Sequence, residues 1–127
     1  PKVGKVADGA QVVRMAALAR EVPIASHVRD YVVRLLLATH PDSATAPAAV
    51  RKYVRYGASP RGAQAIVLAA KIRALLEGRL NVAFEDVRAL AAPALRHRMV
   101  LNFEGEAEGL STDEMVDEVV AKTSERG

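Results

Sequence analysis

The central segment of the chain reads Gly57-Ala58-Ser59-Pro60-Arg61-Gly62 and continues into an apolar run that ends at Leu76. Serine is favoured just before a helix because its hydroxyl can accept a hydrogen bond from a free backbone N–H of the first turn. Proline is favoured at the first helical position, where the backbone needs no N–H donor. The segment therefore predicts a helix that is capped by Ser59, begins at Pro60 and extends to about Glu77.

Arg61 lies in the first turn of this helix, which is an unfavourable position for a cation. The helix N-terminus carries partial positive charge, and a nearby cation costs about 0.3–1 kcal/mol. The same backbone N–H groups, placed beside a guanidinium, suit an anion such as a phosphate. The residues alone leave two interpretations open: Arg61 binds an anion, or its side chain is simply solvated.

Length and composition indicate a single helical domain. The chain has 127 residues, half of them hydrophobic, and no cysteine, which excludes disulfides and thiolate zinc sites. No run of about 18 apolar residues is present, so no transmembrane helix is predicted. Because the chain begins with Pro1 rather than methionine, we expect it to be a piece of a longer protein.

The charge is divided between a basic body and an acidic tail. Residues 1–101 hold 16 Lys and Arg against 7 Asp and Glu, whereas residues 102–127 hold 2 against 8. Such regions are expected to contact each other or a neighbouring molecule. Within the body, Arg51, Lys52 and Arg55 alternate with aromatic residues. This pattern is typical either of a nucleic-acid surface or of an amphipathic segment whose cations are solvated.

Apolar periodicity predicts an all-α fold, a small bundle of about four body helices with a short C-terminal tail helix. Ser111 and Glu114 form a capping-box pattern at the start of the tail helix, and Phe103 is the expected anchor of the acidic segment before it. Pro93 is expected to kink or restart the last body helix. The predicted body helices run from Asp8 to about Arg20, Ser26 to about Thr39, Pro60 to about Glu77, and from about Ala83 onward.

Four ordered blocks of the chain resemble the C-terminal lid of MoxR-type AAA+ ATPases. They are Gly57-Ala58-Ser59-Pro60-Arg61, Leu76-Glu77-Gly78-Arg79, Glu85-Asp86-Val87 and Leu95-Arg96-His97-Arg98. The resemblance runs from about Gly9 to Val120. It implies a lead-in at residues 1–8 from an N-terminal core domain, a helical lid at residues 9–101 and an acidic tail at residues 102–127.

In that family the arginine of the first block is the sensor-2 residue, which reaches the nucleotide phosphates. Carried over, the catalytic role falls on Arg61, and the nucleotide-binding residues are Ser59, Pro60, Arg61 and Gly62. The resemblance implies ATP as the ligand, with Mg²⁺ held by the core domain of the same chain. It also implies a cytoplasmic, chaperone-like ring of subunits that works with von Willebrand A-type proteins.

The chain lacks the rest of an ATPase site. The phosphate-binding pattern G-x-x-x-x-G-K-[ST] is absent, and so is an apolar strand that ends in paired acidic residues. We therefore expect no ATP hydrolysis by this chain alone. The three histidines are far apart in sequence, and no metal site is predicted. A nucleic-acid-binding module and a purely structural helical adaptor remain the alternative functions.

Overall fold

The computed structural model describes residue 1 and residues 3–126. It confirms the all-α class: within the described residues the chain forms seven α-helices, a single 3-10 turn at Arg96–Arg98 and one pair of short strands. The elements are α1 Gly9–Glu21, α2 Ser26–Ala38, α3 Ala48–Tyr53, β1 Val54–Tyr56, α4 Pro60–Leu76, α5 Phe84–Leu95, β2 Val100–Leu101, α6 Phe103–Ala107 and α7 Thr112–Lys122.

Helix α4 is the centre of the domain and packs mainly on α5, with α2 and α1 as further neighbours. Its buried stripe consists of Ile66, Ala70 and Ala74, none of which is exposed. An apolar run of this kind predicts a helix that is buried on most sides, and this prediction is wrong for the outer face of α4. Leu68 is 40% exposed and Leu76 is 83% exposed, since no other described element covers that side of the helix.

Helix α1 begins as predicted, because the Asp8 carboxylate accepts a hydrogen bond from Gln11 N and the Gln11 side chain accepts one from Asp8 N. Its apolar face is nevertheless open. Ala19 is the buried residue of α1, and the larger apolar side chains are all more than half exposed: Val12, Val13, Met15 and Leu18. The rest of the described chain therefore leaves most of the large apolar surface of α1 uncovered.

Helix α2 supplies much of the core through Tyr31, Val32 and Leu35. Its predicted N-cap is wrong by one position. Ala25 is the N-cap, without a side-chain hydrogen bond, and Ser26 is the first helical residue. Burial of the apolar face of α2 therefore compensates for the absent cap.

A two-stranded antiparallel ribbon joins the middle of the chain to its C-terminal third. Val54 pairs with Leu101 and Tyr56 with Val100. The sequence did not predict these strands, because β1 has three residues and β2 has two, too few for a periodic pattern. The ribbon places the segment before Gly57 next to the residues that follow α5.

The end of α4 and the start of α5 are joined by a tight turn. Gly78 follows α4 with a φ of 72°, the left-handed conformation that glycine adopts without steric cost. Helix α5 continues through Pro93 to Leu95 and only then changes to the 3-10 turn. The predicted restart at Pro93 is therefore wrong.

The acidic tail forms two helices rather than one. The capping box of α7 is confirmed, with Ser111 and Glu114 exchanging hydrogen bonds. Phe103, the expected anchor, is 86% exposed. The tail is anchored instead by one face of α7, which is fully or almost fully buried against α5, α3 and α2: Met115, Val116 and Val119.

Candidate functional site: the N-terminal turn of α4

The first turn of α4 places Ser59, Pro60 and Arg61 at the surface. Ser59 is the N-cap and Pro60 the first helical residue, as predicted. The predicted capping bond is absent, however, because the Ser59 side chain accepts no hydrogen bond from the turn. The backbone carbonyl of Ser59 accepts from Gly62 N at 2.7 Å instead. The Ser59 hydroxyl therefore remains available at the exposed end of the helix.

Gly62 is buried and fixes the base of this turn. A Cβ at this position would lie 2.8 Å from Leu95 Cδ2 and 3.4 Å from Arg98 Cδ. The first distance is too short for two carbon atoms, so any side chain at this position would require Leu95 to move, and glycine allows the turn to pack against the end of α5 as it does. Sequence reasoning did not connect Arg98 with Gly62, because 36 residues separate them and only the fold brings them together.

The Arg61 side chain is exposed and makes no ion pair or hydrogen bond with another residue in the part of the chain that the structure describes. The backbone N–H of Arg61 likewise has no acceptor there. A guanidinium and a free backbone donor thus lie on adjacent parts of one residue, at the end of a helix where negative charge is favoured.

The loop before Arg61 is attached to the end of α2. The Thr39 hydroxyl accepts a hydrogen bond from Ala58 N at 3.0 Å, and His40 Nε2 donates to Ala58 O at 3.0 Å. Thr39 is fully buried and His40 is half-buried. The sequence pattern marked neither residue as part of the site, because both contacts are long-range.

An open cleft lies between α2 and α4, beginning beside the second turn of α4. Its volume is ≈ 430 Å³ and its floor is apolar. Cationic side chains from three helices stand at its edges, and Lys71 is held there by a 2.7 Å hydrogen bond to Arg20 O. The cleft is lined by Arg20, Arg29, Val32, Val33, Ala63, Gln64, Val67, Leu68 and Lys71.

The opposite end of α4 carries an ion-pair network centred on Asp86, which is fully buried. Arg79 donates two hydrogen bonds to its carboxylate, at 2.6 and 2.7 Å, and Ala83 N donates a third at 2.9 Å. Arg73 Nε lies 3.3 Å from the same carboxylate. The hydrogen bond from Arg79 lowers the pKa of Asp86, although burial opposes this shift.

Three carboxylates in the described chain lie close enough to share a metal ion: Glu77, Glu85 and Asp86. Two arginines already occupy this group, since Arg79 contacts all three carboxylates and Arg73 contacts Glu77 and Asp86. The chemistry of the donor set therefore favours ion pairing over cation binding.

The basic segment at residues 51–55 is occupied by internal contacts. Arg51 donates to the carbonyls of Ser43, Ala44 and Ala46. Lys52 forms ion pairs with Glu104 and Glu108, and the Arg55 guanidinium lies 5.1 Å from the Tyr56 ring centroid. The segment thus holds the preceding loop and the acidic tail. The amphipathic interpretation had these cations solvated, and this is wrong because they make internal contacts.

The sequence block Arg96-His97-Arg98 offers a basic contact for the tail glutamates Glu104, Glu106 and Glu108. In the structure its tail partner is an aspartate instead, because Arg96 Nε lies 3.0 Å from Asp113 Oδ1. The basic body and the acidic tail do contact each other, through Lys52 and Arg96.

Comparison with known proteins identifies the domain. The sequence pattern of the AAA lid domain matches residues 46–119, which is more than half of the chain. The chain belongs to the AAA lid domain family. This lid is 30% identical over 120 residues to the chaperone MoxR1 of Mycobacterium tuberculosis, and the match covers 94% of the chain. A MoxR protein of Paracoccus denitrificans is 49% identical over 51 residues, or 40% of the chain and 15% of that protein.

The fold agrees with the sequence. A crystal structure of a Cytophaga hutchinsonii protein assigned as an ATPase superposes with a TM-score of 0.85, at 31% identity over 91% of this chain. The lid spans only 32% of the length of MoxR1 and 35% of the Cytophaga chain. Together these matches confirm the resemblance to the lid region of MoxR-type AAA+ ATPases. In the described residues, no helix is both long and apolar enough to cross a membrane.

Proposed function

We propose that this lid completes the ATP site of a MoxR-type AAA+ ATPase and that Arg61 contacts the terminal phosphates of the bound nucleotide. The observation that carries the proposal is the exposed guanidinium of Arg61, which has no partner among residue 1 and residues 3–126, on a turn whose base packs Gly62 against Leu95. A cation held in this way needs little reorganisation when negative charge builds up on a transferring phosphoryl group.

The remaining residues of the turn support binding of the same phosphate groups. The free N–H of Arg61 and the uncapped hydroxyl of Ser59 are donors at the end of the helix. Pro60 contributes no donor but fixes the backbone in helical geometry. Gly62 uses its N–H internally, and its role is to allow the close packing that positions Arg61.

The cleft between α2 and α4 supports the same ligand class. Its floor is apolar, and cations line its edges, a combination that suits a flat heterocyclic base attached to phosphates. The Mg²⁺ ion would be held by the core domain and would neutralise part of the phosphate charge from there. The carboxylate cluster of the lid does not fit that ion, since Arg73 and Arg79 already occupy it.

The proposal includes two kinds of partner. Exposed apolar side chains along α1 and the end of α4 support contact with the core domain of the same chain and with a neighbouring subunit of a ring. Work on client proteins together with a von Willebrand A-type protein follows from the family resemblance alone.

The decisive experiment measures ATP turnover by this lid joined to its MoxR-type core, with and without Arg61→Ala. We expect kcat to fall by about 10²–10³-fold, the loss typical for removal of one charge-stabilising group. Arg55→Ala is the matched control, because it removes an exposed arginine a few residues away without changing the turn. Its turnover should equal that of the unmodified enzyme.

Equal turnover by the Arg61→Ala enzyme would contradict the sensor-2 role and favour a structural adaptor. No described contact favours the nucleic-acid alternative, because Arg51, Lys52 and Arg55 are occupied by internal partners.

A further inference from the structure

We propose that Thr39 and His40, at the end of α2, are positioning residues that hold Arg61 in its working location. The inference rests on the proposed function of Arg61, but it concerns residues outside the α4 turn. Among the described residues, the side chains of Thr39 and His40 form no hydrogen bond with Ser59, Pro60 or Arg61. Each acts through the backbone of Ala58, three residues before Arg61.

The contact is a two-point clamp on one residue. Ala58 N donates to Thr39 Oγ1 at 3.0 Å, and Ala58 O accepts from His40 Nε2 at 3.0 Å. The Thr39 hydroxyl in turn donates to Leu36 O at 2.6 Å, so its donor and acceptor functions are both used. Because a carbonyl only accepts, His40 must carry a proton on Nε2.

Gly57 allows the clamp to close. A Cβ at Gly57 would lie 2.7 Å from Thr39 O and 2.8 Å from His40 Cγ, so any side chain would push the loop away from the end of α2. Its φ is not in the left-handed region, and the requirement for glycine is therefore one of space. Ala58, whose backbone forms both hydrogen bonds of the clamp, is itself fully buried.

The clamp and the Gly62 contact lie on opposite sides of Arg61. Ala58 is tied to α2, and Gly62 packs against Leu95 at the end of α5. Only Ser59, Pro60 and Arg61 lie between these two fixed points, and all three are exposed. The backbone of Arg61 is thus held at both ends while its side chain remains free to reach a ligand.

The polarity of Thr39 also requires a reason. Thr39 and Asp86 are the buried polar residues among those the structure describes, and a buried hydroxyl contributes less to a core than an apolar group of equal volume. Its two hydrogen bonds fix the Ala58 backbone relative to the end of α2, as expected of a positioning residue.

The test is a double-mutant cycle on the lid joined to its MoxR-type core, with ATP as the probe. Thr39→Val keeps the shape and removes the hydroxyl, and we expect kcat to fall by about tenfold or more because the guanidinium is displaced. Thr39→Ser should restore most of the activity. In the Arg61→Ala background, Thr39→Val should cause no further loss, since it acts through Arg61.

A matched control exists in the acidic tail. The Thr123 hydroxyl donates to Val119 O at 2.6 Å, as Thr39 does to Leu36 O, but it lies far from the turn along the chain. Thr123→Val should leave kcat unchanged. If Thr39→Val fails to fold, His40→Phe replaces it, with His40→Gln as the variant that retains a donor.

The outcomes separate the two proposals. Normal kcat for both Thr39→Val and His40→Phe, alongside a severe loss for Arg61→Ala, overturns the clamp alone. An equal loss from Thr39→Val in the Arg61→Ala background also overturns it, because the effect would then be general. A normal Arg61→Ala enzyme overturns the proposed function and the clamp together.

Discussion

The two ends of α4 use arginine in opposite ways. At the C-terminal end, Arg73 and Arg79 converge on the buried carboxylate of Asp86, and the network joins α4 to α5. At the N-terminal end, Arg61 has no partner in the described chain, although the turn that carries it is firmly packed. The difference separates an arginine that stabilises the fold from one that is available to a ligand.

The largest expected effect on stability comes from removing the buried carboxylate at the C-terminal end of α4. Asp86→Ala leaves two arginines without their shared partner, and we expect unfolding free energy to fall by about 3 kcal/mol. This is the lower part of the range for broken buried pairs, because Arg73 and Arg79 remain partly exposed and can be hydrated. Urea denaturation measures the change. Arg61→Ala is the control, and its unfolding midpoint should not fall, because it removes a cation from the first turn of a helix.

The same network predicts a pH dependence. Because its pKa is lower in the folded chain, Asp86 contributes stability that is fully present above about pH 4 and is lost as pH falls through the folded-state pKa. The stability difference between the unmodified chain and Asp86→Asn should therefore shrink in acid. A difference that stays constant between pH 7 and pH 3 would contradict the assigned role of the ionised carboxylate.

The smallest effect compares two N-cap serines. Ser111 makes a capping box with Glu114, so Ser111→Ala should cost about 1 kcal/mol. Ser59 makes no capping bond, and Ser59→Ala should cost at most about 0.3 kcal/mol. Thermal denaturation of both variants measures the contrast. A cost for Ser59→Ala as large as that for Ser111→Ala would show that its hydroxyl does cap α4 in solution.

Local signals in the sequence were sufficient to predict the four longer body helices and α7, but not the short helices α3 and α6. Pro60 and Gly78 mark the ends of α4 through their own backbone preferences, and Ser111 marks α7 through a partner three residues away. These effects need no knowledge of the fold.

The contacts that hold the turn are long-range, and this is why the sequence did not reveal them. Thr39 meets Ala58 across 19 residues, and the Gly62 contact joins two different helices. The sequence position of Asp86 indicates only a favourable charge in the first turn of α5. Its burial depends on Arg73 of α4 and Arg79 of the following turn, which both reach its carboxylate. Phe103 was misjudged because its apolarity does not reveal which side of α6 faces the core.

The antiparallel pair α4 and α5 is fastened at both ends. Asp86 at the start of α5 forms an ion pair with Arg73 near the end of α4. Leu95 at the end of α5 packs against Gly62 at the beginning of α4. Hinge bending between the two helices would have to break one of these joints. We therefore expect a displacement imposed at Arg61 to be transmitted along about 25 Å of helix, because the two helices would rotate as one rigid body and any bending would fall on segments outside this pair.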